Sequence, residues 1–499
     1  MKFHRRSDLT PEVRIQITLE AILSAGIYGA RSHLAYQYQI SRTLLYHWIA
    51  RTMLVLQELF SAVDIVPTDN RLTENEVILL LRLEGRASIQ SISDILIGLG
   101  YEKNNSVGTV SQRLTAIGRA VANALQPKQQ LMTFWLSDEI FANGHPILIT
   151  IDPVSTAILR IDLADNRQAV TWENHFRLIE ANQIGSLGLC SDRAKGITEG
   201  YSAFNRDLNW CSDHFHEFRQ LVNLLFRAER QAYAAIEDEY KREQVFLNRR
   251  SEKAMQKQSL KLELAHQDCE AKINRYDQLN DCLSLLFPSL YFFNLSNGVP
   301  RFSYTVKEEL SVLFDLLDEI EWPTLNQEVA KVRGHIDDIC MCYQWLEEIW
   351  PEWTKRVPET TLCYLSLAWQ HAHQSHQHKG KGAAFHQAES QFWLEAAENL
   401  LPEKEAPALI EELFEQFDGL VRSSSLVEMV NSSLRLTLNA CRGNISQEQL
   451  NLFMFYFNHH QFHDGKRKGR SPIGILTGTE PEEPWYKLLA KAADTSVSS

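Results

Sequence analysis

Apolar residues recur at helical spacing along most of the chain, interrupted by one stretch that alternates like strands. Near the start, Ile15, Leu19 and Ile22 share one helical face behind Thr10-Pro11-Glu12. That tripeptide is a start signal: an N-cap, a proline at the first helical position and an acid in the first turn. Gly26 and Gly29 end this helix, and a short one over about residues 30–38 follows. After a turn at Gln39-Ile40, Ser41 caps a third helix, "RTLLYHWIART". There Leu45, Trp48 and Ile49 face inward, which leaves Arg42, Thr43, Tyr46, His47 and Arg51 outward. This is the layout of a helix-turn-helix with a recognition face of hydrogen-bonding and basic side chains. A plain three-helix bundle has the same apolar pattern.

Behind a linker, Ile65–Asn70, the pattern predicts a second trihelical unit with helices at about 74–83, 88–99 and 106–125. Thr109, Gln112 and Arg113 point out from its third helix. Two DNA-reading modules in tandem gain affinity from linkage. From Phe134 the period changes to that of strands, predicted over 135–141, 147–151, 157–163 and 186–192, with a helix at 168–183 before the last. Three strands, a helix and a strand describe a mixed sheet with a crossover helix.

Residues 201–287 contain neither Gly nor Pro and are highly charged. They predict a long solvated helix or a helical hairpin. Trp-rich helices continue to about Leu401. Within them, "HAHQSHQHKGKGAAFH" carries His371, His373, His376 and His378, which would suit a metal if held rigidly. Gly380 and Gly382 predict a flexible polar loop instead. Further on, Leu426, Val430, Leu434 and Leu438 repeat every four residues, so Glu428 rides beside the apolar stripe of a helix capped by Ser424 or Ser425.

Composition is that of an ordinary globular protein, and no apolar run reaches the ~18–20 residues of a membrane span. No signal peptide is expected at "MKFHRRSDLTPEVRIQITLE". Eight scattered cysteines form no C-x-x-C pair; Cys340-x-Cys342 lacks a second half, and a reducing cytoplasm fits. The net charge of −13 argues mildly against a nucleic-acid partner. Charge is segregated, however: residues 1–60 hold seven Lys/Arg against four Asp/Glu, and "GKRKGR" at Gly465–Arg470 is a second basic point.

Three acids then stand out: Asp138 in "LSDEIF" on the first strand, Asp192 in "SDRAKGI" at the end of the fourth, and Glu428 in "LVEMVNSSLR" on the late helix. Individually each reads as a surface acid. Asp152 in "TIDPVS" is a fourth strand-end acid, and its Pro-Val-Ser neighbours assign it to a turn. Together with "ILITIDP", "WCSDHFHEFR" and "NHHQF…GKRKGRSPIGILTG", the three resemble the motifs of DDE transposases of bacterial insertion sequences. The resemblance covers roughly residues 135–220 and 420–480.

That resemblance implies a multidomain α/β, mostly helical protein: N-terminal helix-turn-helix modules and a ribonuclease-H-like mixed-sheet core interrupted by a large α-helical insertion. The corresponding segments are 1–62, 70–128, 132–222, 223–418 and 419–485. It implies that Asp138, Asp192 and Glu428 hold two Mg²⁺ ions, with Mn²⁺ able to substitute, and cleave and rejoin DNA strands. Mg²⁺ prefers oxygen ligands and keeps several waters, so few carboxylates suffice. Arg193, Lys195, Arg435, Lys466, Arg467 and Lys468 are then expected to face DNA phosphates. Cys211-x-x-His214 and Asp213-x-x-His216 are similar to a Cys/Asp-x-x-His motif of members with helical insertions. The tyrosine and arginine that one large subfamily carries before the glutamate are absent, with Val421 and Ser424 there instead. Expected partners are double-stranded DNA, as element ends and target, and a second protomer. The alternatives are an inactive DNA-binding regulator derived from such an enzyme, or a helical scaffold that never touches DNA. Trp172 is either a platform for an extruded base or, more commonly for a helical Trp, core.

Overall fold

The computed structural model describes residues 8–60, 72–101, 105–207, 209–465 and 467–497, so the expected linker Ile65–Asn70 lies outside the described residues. Two compact units are present, residues 1–72 and 73–499.

In the first unit, α1 (Pro11–Leu23), α2 (Ala30–Gln37) and α3 (Arg42–Phe60) pack around Leu9, Ile17, Ala21, Leu34, Ala35 and Leu45. Thr10 caps α1 as the sequence predicts, accepting from the Val13 N–H at 3.4 Å. The buried face of α1 is nevertheless a different one. Ile17 is fully buried whereas Ile15 is 60% exposed and Leu19 also faces out. Val13, Ile17 and Ala21 form a second stripe spaced by four, and periodicity alone does not rank two such stripes. Leu45 of α3 is buried with Trp48 and Ile49 against it, and Arg42, Thr43, Tyr46, His47 and Arg51 are all exposed.

The second unit begins with α4 (Glu74–Leu79), whose Thr73/Glu76 capping box is intact and which continues as one π-helical turn, Leu80–Glu84. Then come α5 (Ile89–Gly98) and α6 (Val107–Ala120). The helix expected to reach residue 125 stops at 120, because the next residues pair with a sheet edge: Leu125 N–H bonds Leu159 O at 2.8 Å. These helices are not a separate body. Asn451 Nδ2 donates to the carbonyls of Gly118 at 2.9 Å and Val121 at 3.1 Å. A Cβ added at Gly118 would lie 2.3 Å from Glu448 O. Gly118→Ala is therefore expected to cost about 1–3 kcal/mol by overpacking, read as a lower urea midpoint with unchanged slope.

Five strands form one sheet: β1 (Leu131–Ala142), β2 (His145–Ile151), β3 (Ile158–Leu163), β4 (Ile184–Ser191) and β5 (Trp210–Ser212). Their order is β3-β2-β1-β4-β5, with β1/β2 and β2/β3 antiparallel and β1/β4 and β4/β5 parallel. The crossover helix is α7 (Ala169–Ala181), and α8 (Lys195–Phe204) follows β4. Alternation along β1 splits its side chains. Trp135 joins Trp172, Phe176, Tyr201 and Phe204 under α7 and α8, so Trp172 is core, 0% exposed. Leu136 and Ile140 face the other way. On the α7 side a buried polar chain runs from Ser137 Oγ to Thr150 Oγ1 (2.8 Å) and on to His175 Nε2 (2.9 Å). It ends at Asp162 through His175 Nδ1 (2.6 Å). Buried up to Asp162, which is partly exposed, it fastens α7 to the sheet.

The Gly/Pro-free stretch is a helical hairpin of α9 (His214–Leu247) and α10 (Glu252–Ser289). Next are α11 (Ser303–Asp318), α12 (Pro323–Arg333), α13 (Ile336–Cys340), α14 (Gln344–Thr354), α15 (Glu359–Gln377), α16 (Lys381–Glu398) and α17 (Ala406–Asp418). The expected histidine loop is mostly helix: His371, His373 and His376 lie in α15, and only residues 378–380 turn, with Gly380 at φ 58°. The chain closes with α18 (Ser425–Ala440), α19 (Gln447–His459), α20 (Pro472–Thr477) and α21 (Trp485–Val497). One apolar core joins the second sheet face, α18 and the helices between 279 and 417, so the segment expected at 223–418 shares its core with the sheet. Among the described residues no helix is long and apolar enough to cross a membrane.

Candidate active site

Adjacent strands β1 and β4 run parallel, with Leu136 opposite Cys190 as their last pair. Beyond it β1 continues with β2 alone, out to Ala142. Asp138 and Asp192 each stand two residues past that last pair, one on either side of the gap where the strands part. Crevices of this kind, beside the carboxyl end of a parallel strand, are where α/β sheets bind ligands.

The third acid arrives on α18, which packs on β1 through Val427, Val430 and Leu434. The buried stripe is Val427, Val430/Asn431, Leu434 and Thr437/Leu438, so Val430, Leu434 and Leu438 face the core as the repeat predicts and Val427 takes the place of Leu426. Glu428 flanks it, half-buried. Asn431, one turn on, donates from Nδ2 to Asp138 Oδ2 at 2.8 Å. Arg435, two turns on, is 3.6 Å from Glu428 Oε2 and more than half exposed. Glu428, Asn431 and Arg435 thus share one face of α18.

The three acids act on one another electrostatically. The Asp138 carboxyl is raised to about 7, chiefly by burial, with the charges of Asp192 and Glu428 acting in the same direction. A hydrogen bond from the Glu139 backbone and the nearby His216 oppose them. A carboxylate dehydrated beside two like charges is short of a cation. The donor set is oxygen alone, which fits Mg²⁺ or Mn²⁺ and disfavours softer metals. The acids interact without closing into a tight ligand set. Among the described residues, the trio whose ligand atoms lie within 4.8 Å of one another is Glu84, His460 and His463.

Asp213 ties this arrangement together. It caps α9, accepting from Phe215 N–H at 2.7 Å, and accepts from the N–H of Ser424 at 3.1 Å and from the Ser424 hydroxyl. His214 N–H bonds Arg422 O at 3.0 Å. The start of α9 and the start of the Glu428 helix are thereby stapled to each other. His214 itself is buried, and burial pulls its pKa down to about 4, so it stays neutral. Its Nε2 donates to Ile339 O at 2.9 Å. Cys211 is buried with Sγ 4.0 Å from Val421 O. Asp213, His214 and Cys211 therefore position the site, and only His216 comes near the acids. Asp152 is a turn residue, accepting from the Ser155 N–H and hydroxyl at 2.6 Å each.

The basic residues divide. Lys195, at the start of α8, is 85% exposed and Lys468 is exposed. Gln112 is exposed as expected. Arg193 is not turned outward. Its Nε pairs with Glu217 at 2.9 Å, its terminal nitrogen pairs with Asp338, and its guanidinium lies 5.2 Å from the Trp210 ring centre. Arg113 pairs with Glu74 at 2.5 Å, clamping α6 to α4. Arg467 folds onto the β2–β3 turn, donating to Val154 O at 2.9 Å. Lys466 lies outside the described residues. Asn431 and Glu217 were missed by sequence reasoning, and Ser424 was read only as a helix cap. Asn431 had one available signal, its position three residues after Glu428 on the same helix. Compared with known proteins, the chain matches no family model and no curated sequence.

Proposed function

We propose that this chain is a metal-dependent DNA strand-transferase of the DDE type, acting in the cytoplasm on the ends of a mobile element. What supports the reading is that Asp138 and Asp192 flank the point where β1 and β4 part and that the charges of Asp192 and Glu428, remote in sequence, both act on Asp138. The strand order β3-β2-β1-β4-β5, antiparallel on one side and parallel on the other, supports a ribonuclease-H-like core. The exposed Arg42, Thr43, Tyr46, His47 and Arg51 on α3 support a helix-turn-helix reading of the element end.

In this reading Asp138, Asp192 and Glu428 would hold the two Mg²⁺ ions. When bound, the pair activates the attacking oxygen and stabilises the leaving one in an in-line phosphodiester displacement. The chain's own groups orient the acids: Asn431 holds one oxygen of Asp138, and the Asp213–Ser424 staple fixes the start of the glutamate helix. Arg435 and Lys195 contact the phosphates on either side. Two ends must be cut and joined, so two protomers assemble on DNA.

The test is strand cleavage of duplexes taken from the flanks of the chain's own coding region. Mg²⁺ or Mn²⁺ should support nicking that leaves a 3′-hydroxyl, EDTA should abolish it, and Asp192→Ala should fail to cut while binding the same duplex. Cleavage that persists in Asp192→Ala removes the enzymatic reading. Duplex binding by a wild-type chain that never cuts would favour the inactive regulator.

A further inference from the structure

We infer that the chain carries a second metal site, for a zinc-class ion, formed by Glu84, His460 and His463. It stands apart from the acids at β1 and β4 and does not depend on the reading given to them. One ligand atom from each of the three residues lies within 4.8 Å of the other two. Around a tetrahedral ion with bonds of about 2.0–2.1 Å, ligand atoms sit roughly 3.3 Å apart. One pair already does: His460 Nε2 is 3.2 Å from Glu84 Oε2. The His460 and His463 rings meet edge to face with centres 5.0 Å apart. Closing the set needs only a small swing of His463, which is exposed and sits in a loop.

The supports come from two elements, the π-helical turn and α19. Glu84 ends the π-helical turn after α4; such turns re-aim a side chain away from the α-helical track and are frequent at functional sites. His460 is the C-cap of α19, its N–H held by Tyr456 O at 2.9 Å. The Tyr456 hydroxyl donates to Glu84 Oε2 at 2.9 Å, an outer hydrogen bond that fixes the carboxylate as outer partners fix metal ligands generally. Two imidazoles and one carboxylate suit Zn²⁺ and are a poor set for Mg²⁺, which takes oxygen. Three protein ligands leave a fourth position for water. Bound there, the ion ties helix α4 to the end of α19 and pins the root of the loop that carries Lys468 and Arg470.

The test uses the full-length Asp192→Ala chain, stripped with EDTA and titrated with Zn²⁺ in excess Mg²⁺, so that the acids at the sheet are either disabled or occupied. One equivalent of Zn²⁺ should bind. His463→Ala, at an exposed position, should weaken that binding by roughly 100-fold or more, beyond the 10–100-fold typical of losing an outer partner. His460→Ala should do the same. His459→Ala, whose Nδ1 already bonds Phe455 O at 2.8 Å, should not, and neither should His386→Ala in the separate histidine contact with His371. No tight equivalent in the parent chain, equal affinity in His463→Ala, or a loss that follows His386 would overturn the site. A chain that binds Zn²⁺ in this pattern and never cuts DNA leaves this inference standing and the proposed function fallen.

Discussion

Asp138→Asn is expected to abolish metal-dependent cleavage and, in the same stroke, to make the metal-free protein more stable at pH 8. The two effects share a cause. Asp138 ordinarily titrates near 3.8, and in the folded chain it is raised to about 7. Between those values the folded state holds a proton that the unfolded state has released. Stability therefore falls as pH rises through this window, and the whole penalty is present above about 7. One pKa unit is about 1.36 kcal/mol, so neutralising the side chain should return about 2–4 kcal/mol at pH 8 and almost nothing near pH 4. Asparagine keeps an oxygen to accept from Asn431. It loses the charge that draws a cation, and a drop of about 10³-fold or more in cleavage is expected from losing one member of a two-metal set. Urea melts at both pH values, with and without Mg²⁺, provide the measurement. Mg²⁺ should stabilise the wild type at pH 8 by binding the folded state alone and leave the variant unmoved. An asparagine variant less stable than wild type at pH 8 would mean that the acid is held by fixed partners and is not waiting for a cation.

How much of this was legible beforehand depends on what kind of signal each residue leaves. Strands β1 to β4 and helix α7 were readable because apolar alternation and helical period are strong there. β5 was missed: three residues, Trp210–Ser212, are too few for any period, and they form a strand only because β4 offers an edge. The extra length of β1 comes from the pairing of Leu131–Phe134 with the start of β4 and of Ala142 with β2. In α1 two apolar stripes competed, and the packing of α3 chose between them. The end of α6 was set by the edge of β3 and not by a cap. The acids of the site were found through their motifs. Their electrostatic proximity was not readable, because it depends on a register between β1 and β4, and on the packing of α18, that single-sequence patterns do not encode. Asn431 leaves only its spacing from Glu428 and Ser424 only its place as a helix cap; their contacts with Asp138 and Asp213 exist only once α18 lies against β1 and α9.

Charge near a motif was the least trustworthy signal, and Arg193 and Lys195 make the point testable. Two residues apart in "SDRAKGI", both read as phosphate contacts. In the folded chain Arg193 serves Glu217, a carboxylate only 5% exposed, which also takes His335 Nδ1 at 2.9 Å and the Ser212 hydroxyl. Removing one partner of a buried ion pair costs about 3–5 kcal/mol, because the other charge stays buried. Arg193→Ala is accordingly expected to lose about 3 kcal/mol or more of stability, with His335 sparing part of the loss. It should leave the salt dependence of DNA binding as it was. Lys195→Ala should do the reverse. Exposed and paired only loosely with Glu199 at 3.5 Å, it should change stability by no more than about 0.5 kcal/mol. The slope of log affinity against log salt should become shallower by about 0.9, the share of one phosphate contact. Urea melts and salt titrations on a duplex from the element end measure both axes for both variants. A flattened slope and unchanged stability in Arg193→Ala would return that arginine to the DNA and leave Glu217 to be held by His335 and Ser212 alone.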